Sequence, residues 1–273
     1  MNLQTKIAAS SCLLTVVIAC SAFAQRRSTP SRALQLIVVT TADWNAVDGQ
    51  LQRYQRTSSE GPWNAVGGPV SIVVGSHGMG WGIGTVPMTA MRSSDDPIKR
   101  EGDHKSPAGI FRLGEAFGYA AQEPEGWKTH YLPITPSTQC VDDPQSRFYN
   151  RILDGSAVTA DWKSAEHMRD AGEAYRWGIV IEHNPAPAQA QGGSCVFMHI
   201  WSGPGSGTEG CTAMAEPQVE SILGWLYPQA GPLLVQMPLS QYRMAARSLQ
   251  LPAPPSAVGQ SMSETMSKRA HAR

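Results

Sequence analysis

No charge of one sign dominates this chain: 22 basic residues stand against 22 acidic ones, and charged residues make up only 16%. That balance excludes the basic footprint that binding to a nucleic-acid backbone requires. No internal repeat is visible, and no linker interrupts residues 34–237. No C-x₂-C pair is present, so the commonest zinc-site signature is missing. The only long apolar run, Ile7 to Cys20, is too short to span a bilayer comfortably, and nothing later is long enough to try.

What is present is glycine and proline, 26 and 20 residues, in a chain that is 41% hydrophobic. So many turn formers favour short strands over a helical bundle. The N-terminus reads as an export signal over residues 1–24. Lys6 supplies its charge, Ile7 to Cys20 its apolar stretch, and Ala22-Phe23-Ala24 its cleavage site. Val17-Ile18-Ala19-Cys20 also fits a lipoprotein box, which would anchor the product at Cys20. Either reading places the mature chain outside the cytoplasm, periplasmic or secreted, with no transmembrane segment.

Removal of the signal leaves Cys140, Cys195 and Cys211. An odd count in an oxidising compartment implies one disulfide and one thiol. Cys195 lies in an apolar run, Cys140 beside a turn and Cys211 on a Gly-flanked turn. The expected pairing is Cys140–Cys195, leaving Cys211 free.

Along the chain, residues 25–33 read as a flexible lead, 34–238 as one mostly-β (α+β) domain with a few short helices, and 239–273 as a disordered tail. Strands are expected at 34–39, 69–75, 109–113, within 127–134, at 177–183, 195–201 and 233–237. Apolar residues at Trp44, Val47, Leu51 and Tyr54 predict a helix over 42–56. Further helices are expected at 164–171 and from Pro217 to Leu226. Residues 135–150 read as a long irregular loop.

Residues 193–214, GSCVFMHIWSGPGSGTEGCTAM, carry the chemistry. His199 lies in the apolar strand, and Cys211 follows twelve positions later, after a Gly/Ser/Pro/Thr loop. If the loop folds back, a thiol meets an imidazole, the minimum apparatus of a cysteine nucleophile. An imidazolium there would lower the thiol's pKa and carry a proton to a leaving amine. The N–H groups at Gly210-Cys211 are candidates to face an oxyanion, since glycine lets the backbone approach closely. Trp201 is the expected ring against the imidazole. His77 and His183 read as structural.

Two segments together resemble the L,D-transpeptidases of the YkuD type. The unit from His199 to Thr208-Glu209-Gly210-Cys211 is similar to that family's strand His followed by [Ser/Thr]-His-Gly-Cys. Gly102-Asp103-His104-Lys105-Ser106-Pro107-Ala108-Gly109-Ile110-Phe111 is similar to its G-D-x-K-[ST]-P-x-G-x-F segment. The resemblance implies a β-sandwich or barrel-type catalytic domain with Cys211 as nucleophile, His199 as acid/base and Lys105 at the cleft rim. It also implies peptidoglycan stem peptides as partners, with D-Ala leaving, and no metal or organic cofactor. Three departures stand out. Glu209 replaces the motif His, Ala213 stands where Asn or Arg is expected, and the His–Cys spacing is short.

The acceptor is open at this point, amine for transpeptidation or water for an L,D-carboxypeptidase or endopeptidase. Two readings of other kinds remain: a degenerate module that binds cell-wall peptide without turnover, and a Cys₃His zinc site built from Cys140, Cys195, His199 and Cys211.

Overall fold

Strand β1 (Gln35–Thr41) is buried at every position, because it lies between two partners in the middle of a sheet. The computed structural model describes residues 32–255; the segment expected to be an export signal lies outside them. The strands that follow are β2 (Asp48–Gln55), β3 (Asn64–Val73), β4 (Met79–Trp81), β5 (Ser106–Gly118) and β6 (Tyr131–Pro133). Then come β7 (Thr138–Cys140), β8 (Ile152–Asp154), β9 (Glu166–His167) and β10 (Trp177–Ile181). Last are β11 (Phe197–Ile200), β12 (Thr212–Met214) and β13 (Leu233–Pro238), with helices α1 (Glu216–Trp225) and α2 (Leu239–Leu249).

The main sheet runs β10-β11-β12-β3-β2-β1-β13-β5, and β10 also pairs with β5. That last pairing closes eight strands of mixed direction into a barrel, which removes the exposed edges of an open sheet. Strands β4 and β6 each add to β5 in parallel. Strands β8, β7 and β9 form a separate small antiparallel sheet. The mostly-β barrel architecture agrees with the expected fold class.

Two apolar clusters follow from this layout. The larger is built on β1, β13, β5 and α1, including Ile37, Val38, Phe111, Leu223 and Val235. The smaller gathers Phe117, Met168, Tyr175, Phe197, Cys140 and Cys211 under the small sheet. Phe117, Tyr175 and Phe197 meet pairwise edge to face at 5.2–5.5 Å between centroids. Such pairs add about 0.5–1.5 kcal/mol each beyond area burial. Cys211 is thus set in a rigid aromatic wall.

Several local expectations are corrected. Residues 48–55 are strand β2, antiparallel to β1, rather than helix. Asp43 accepts hydrogen bonds from the N–H groups of Asn45 and Ala46 at 2.8 and 3.0 Å, which turns the chain back. A bulge between Leu51 and Arg53 then breaks the two-residue alternation, so the apolar spacing imitates a helix. Residues 164–171 hold β9 and the start of a 3₁₀ helix, Met168–Tyr175.

The loop expected at 135–150 contains β7. The segment read as a disordered tail opens with α2, whose Tyr242 and Ala245 are fully buried. Tyr242 then donates to the Pro252 carbonyl and Tyr54 to the Ala253 carbonyl, which holds the following residues down. At the other end, Ala33 is buried in the core rather than part of a free lead. Helix α1 starts where Pro217 predicts it, with Val219, Ile222 and Leu223 inward.

Candidate active site

Strand β11 carries His199, and β12 runs parallel beside it with His199 opposite Ala213. Cys211 immediately precedes β12 and therefore lies next to Phe197, whose N–H donates to Cys211 Sγ at 3.3 Å. The intervening loop is clamped to the end of β3: Thr208 N–H donates to the Val74 carbonyl and Ser76 N–H to the Thr208 carbonyl, at 3.0 and 2.8 Å. That clamp folds the loop back and brings His199 and Cys211 to one cavity of about 230 Å³.

The turn bearing the thiol is held by hydroxyls. Thr208 Oγ1 donates to the Cys211 carbonyl at 2.6 Å and accepts from Gly210 N–H at 3.2 Å. Ser106, wholly buried at the start of β5, lies 2.8 Å from the carbonyl oxygens of both Gly210 and Cys211, and accepts from Gly75 N–H. Gly210 is at φ 143°, and a Cβ there would come to 3.1 Å from the Lys105 carbonyl. The two motif segments are therefore one structural unit: the second ties down the turn of the first.

Among the described residues, Cys140 and Cys195 are joined in a disulfide, and Cys211 is the free thiol. With both sulfurs of that pair bonded to each other, the Cys₃His zinc reading loses its ligands. Among the described residues, no group of three or more His, Cys, Asp or Glu is placed to hold a metal ion. The disulfide lies close to the thiol: the Cys195 carbonyl is 3.7 Å from Cys211 Sγ.

His199 Nδ1–H donates to the Ile200 carbonyl at 2.7 Å, which fixes the tautomer and leaves Nε2 as the basic nitrogen. The ring that meets the imidazole is Tyr175, edge on at 5.2 Å, rather than the half-buried Trp201. The Tyr175 hydroxyl donates to Glu166 Oε1 at 2.5 Å and also contacts the Cys211 sulfur. Tyr175 and Glu166 line both the 230 Å³ cavity and a second one of about 400 Å³, and Cys211 opens on both. Two compartments thus meet at the sulfur.

The electrostatics overturn one expectation. Burial pushes the Cys211 thiol up to about 12, and the Glu166 charge adds to it. The Phe197 N–H, the Tyr175 hydroxyl and Lys99 pull the other way without prevailing. Burial pushes His199 down to about 4. The pair rests as neutral thiol and neutral imidazole, not as the thiolate–imidazolium pair expected from the residue types. Burial disfavours the charged form of each group.

Other residues fall as follows. Lys105 turns away to donate to the His77 carbonyl at 2.6 Å, while Lys99, held by Asp103 Oδ1 at 2.5 Å, lines the larger cavity. His183 is a buried structural group, accepting from Ile83 N–H at Nδ1 and donating from Nε2 to the Gly192 carbonyl. Glu209, where the motif His is expected, is exposed and contacts His104 Nδ1 of the other segment. Ala213, where Asn or Arg is expected, is fully buried in β12, opposite Val73 and His199 in the sheet register.

Sequence reasoning missed Ser106 as a tether, Lys99 as the cavity lysine, and Tyr175 and Glu166 altogether. Ser106 was inside a quoted motif, whereas Tyr175 and Glu166 carry no local signal.

Comparison with curated proteins and with solved structures gives no match. The model of the YkuD family, the L,D-transpeptidase catalytic domain, matches residues 47–235, from the start of β2 into β13 and across both motif segments. The chain belongs to the YkuD L,D-transpeptidase catalytic-domain family.

Proposed function

We propose that this chain is an exported cysteine acyltransferase that works on peptidoglycan stem peptides, with Cys211 as nucleophile and His199 as general acid/base. One observation carries the reading. The free thiol opens on a cavity lined by an imidazole whose Nδ1 is tied to a carbonyl, and on a second cavity across a shared wall. An acyl-transfer enzyme needs a base oriented by a third group and room for donor and acceptor on either side of the nucleophile.

The neutral resting pair sets the order of events. As sulfur attacks the peptide carbonyl, its proton passes to His199 Nε2, so charge appears only in the transition state. Gly210 N–H is already committed to Thr208, and we assign the oxyanion to Cys211 N–H at the same turn. Collapse breaks the C–N bond, the leaving D-Ala amine takes the proton from His199, and a thioester remains on Cys211. The amine of a second stem then takes the acyl group. The Cys140–Cys195 disulfide supports an oxidising compartment, in line with export.

The test is intact-mass analysis of purified protein incubated with a synthetic tetrapeptide stem ending in D-Ala. The expected result is an acyl adduct on Cys211, lighter than the stem by D-Ala and absent in Cys211→Ala. Recovery of unmodified protein and uncut stem after long incubation would remove the reading.

A further inference from the structure

The wall between the two compartments is a carboxylate held by a phenol. Glu166, on β9, accepts the Tyr175 hydroxyl at 2.5 Å, and both side chains border the cavities on either side of Cys211. The larger cavity is acidic. Glu101, Asp142, Glu166 and Glu209 line it; Glu209 is exposed and engaged by His104, and the one lysine of the lining, Lys99, is already bonded to Asp103 and to the Arg100 carbonyl. Glu101 is satisfied by Tyr149 and Ser194. Asp142 Oδ1 is instead buried with no hydrogen-bond partner among the protein groups, an acceptor in need of a donor. Unpaired negative charge around a nucleophile that bears no cation of its own calls for a positively charged ligand with N–H donors.

We infer that Glu166, fixed by the Tyr175 hydroxyl, receives the acyl acceptor: it binds a primary ammonium group beside Cys211 and takes the proton that must leave before the nitrogen can attack. The inference rests on the acyl-transfer reading and adds a residue and a substrate feature to it. The proton balance explains why a second base is needed. An ammonium must lose two protons to become an amide nitrogen. The first goes to the Glu166 carboxylate. The freed amine then attacks the thioester carbonyl, forming C–N and breaking C–S. The second proton passes to His199 Nε2 and on to the departing thiolate, which restores neutral thiol and imidazole. Glu166 returns its proton to solvent. Water as acceptor arrives neutral and skips the first step, so Glu166 matters for transfer and not for hydrolysis.

Burial raises the Glu166 carboxyl, with the Asp142 charge adding to the rise and the Tyr175 bond opposing it. A raised carboxyl is better matched to accepting a proton near neutral pH. His199, pushed well down by burial, is poorly matched to strip an ammonium by itself.

The experiment measures the fate of acyl-enzyme already formed on Cys211, so it does not depend on how fast that species forms. The acyl-enzyme is challenged with Nα-acetyl-lysine amide, and the ratio of amide product to free acid is read by mass spectrometry. Glu166→Gln is expected to lower that ratio on the order of 10²-fold, the low end of the range for a lost general base. Glu166→Asp, which keeps the charge on a shorter arm, is expected to recover part of it. An unchanged ratio in Glu166→Gln, or transfer and hydrolysis falling together, overturns the inference. Should Glu166→Gln fail to fold, Tyr175→Phe keeps the ring against His199 and Phe197 and removes only the hydroxyl that fixes Glu166. Its ratio is also expected to fall, and an unchanged ratio overturns the inference equally. Absence of any acyl-enzyme in the wild type would instead remove the acyl-transfer reading itself.

Discussion

The Ser106 hydroxyl lies 2.8 Å from the carbonyl oxygens of Gly210 and Cys211, more than a hundred residues away in the chain. Its single proton is shared between them, while its lone pair accepts the Gly75 N–H at 2.9 Å. Gly75 is glycine for the same reason: a Cβ there would fall 2.3 Å from the His104 carbonyl. One buried hydroxyl thus joins β5, the end of β3 and the turn that bears Cys211.

Ser106→Ala leaves the Gly75 N–H without its acceptor and removes the donor to the turn. A cost of about 1–3 kcal/mol is expected, as for a buried polar group left unpaired. Urea denaturation measures it. The rate of acyl-enzyme formation is expected to fall as well, because Cys211 loses one of two hydroxyls that position its carbonyl. Full stability together with full activity would show that Ser106 is not a tether.

The disulfide closes a loop of 55 residues between Cys140 and Cys195. Loop-closure entropy alone assigns it about 4 kcal/mol. The double replacement Cys140→Ala, Cys195→Ala is expected to lose stability of that order in denaturant titrations. Because the Cys195 carbonyl and the Phe197 N–H both face Cys211 Sγ, it is also expected to slow acylation. Reduction by dithiothreitol should reproduce both effects in the wild type, and an unmoved midpoint would contradict them.

Acid stability follows from two histidines. Burial depresses both His183 and His199 from 6.5 to about 4. For His183 the hydrogen bonds define one neutral tautomer, since Nδ1 must accept from Ile83 while Nε2 donates to Gly192. Between pH 6.5 and 4 the unfolded chain binds more protons than the native one, so stability rises with pH across that window. The contribution is fully present above 6.5 and is lost as pH falls, at most about 3 kcal/mol per histidine. His183→Gln is expected to flatten part of this slope, whatever it does to stability at neutral pH. An identical slope would mean that His183 titrates normally in the folded protein.

How far the sequence could be read depended on whether the signal was local. The start of α1 was legible because Pro217 sits where a helix lacks an N–H partner anyway, and β13 because Leu233–Met237 is apolar at every position but Gln236. Strand β2 was not, since the bulge at Leu51–Arg53 disguised its alternation. His199, Cys211 and the Cys140–Cys195 pair could be singled out from residue type and compartment. Tyr175 and Glu166 could not, because they reach Cys211 only through the packing of a 3₁₀ helix against β11 and the pairing of a two-residue strand with β7. Lys105 was singled out where Lys99 is the cavity lysine, a distinction set by side-chain direction that spacing does not carry. Glu209 departs from the family motif, and its partner His104 occupies the unspecified position of the other motif segment, so this contact joins the two segments across the fold.

The protonation of the proposed Cys211–His199 pair can be measured directly. Burial holds the Cys211 thiol up at about 12 and the His199 imidazole down at about 4. In the empty enzyme, alkylation of Cys211 by iodoacetamide is therefore expected to be slow at neutral pH. It should keep rising with pH beyond the ordinary thiol value of about 8.5. His199→Ala should leave that curve nearly unmoved, because a neutral imidazole gives the thiolate little support. Acyl-enzyme formation from the stem peptide should nevertheless fall on the order of 10²–10⁴-fold, since the proton acceptor for the attacking sulfur is gone. Glu166→Gln supplies a control of known sign. Removing a negative charge next to the sulfur favours thiolate, so the alkylation curve should move to lower pH. A wild-type alkylation rate that is already flat and high across the neutral range, and that collapses in His199→Ala, would establish a resting thiolate–imidazolium pair. In that case attraction between the two groups outweighs their desolvation, and the neutral-pair mechanism does not hold.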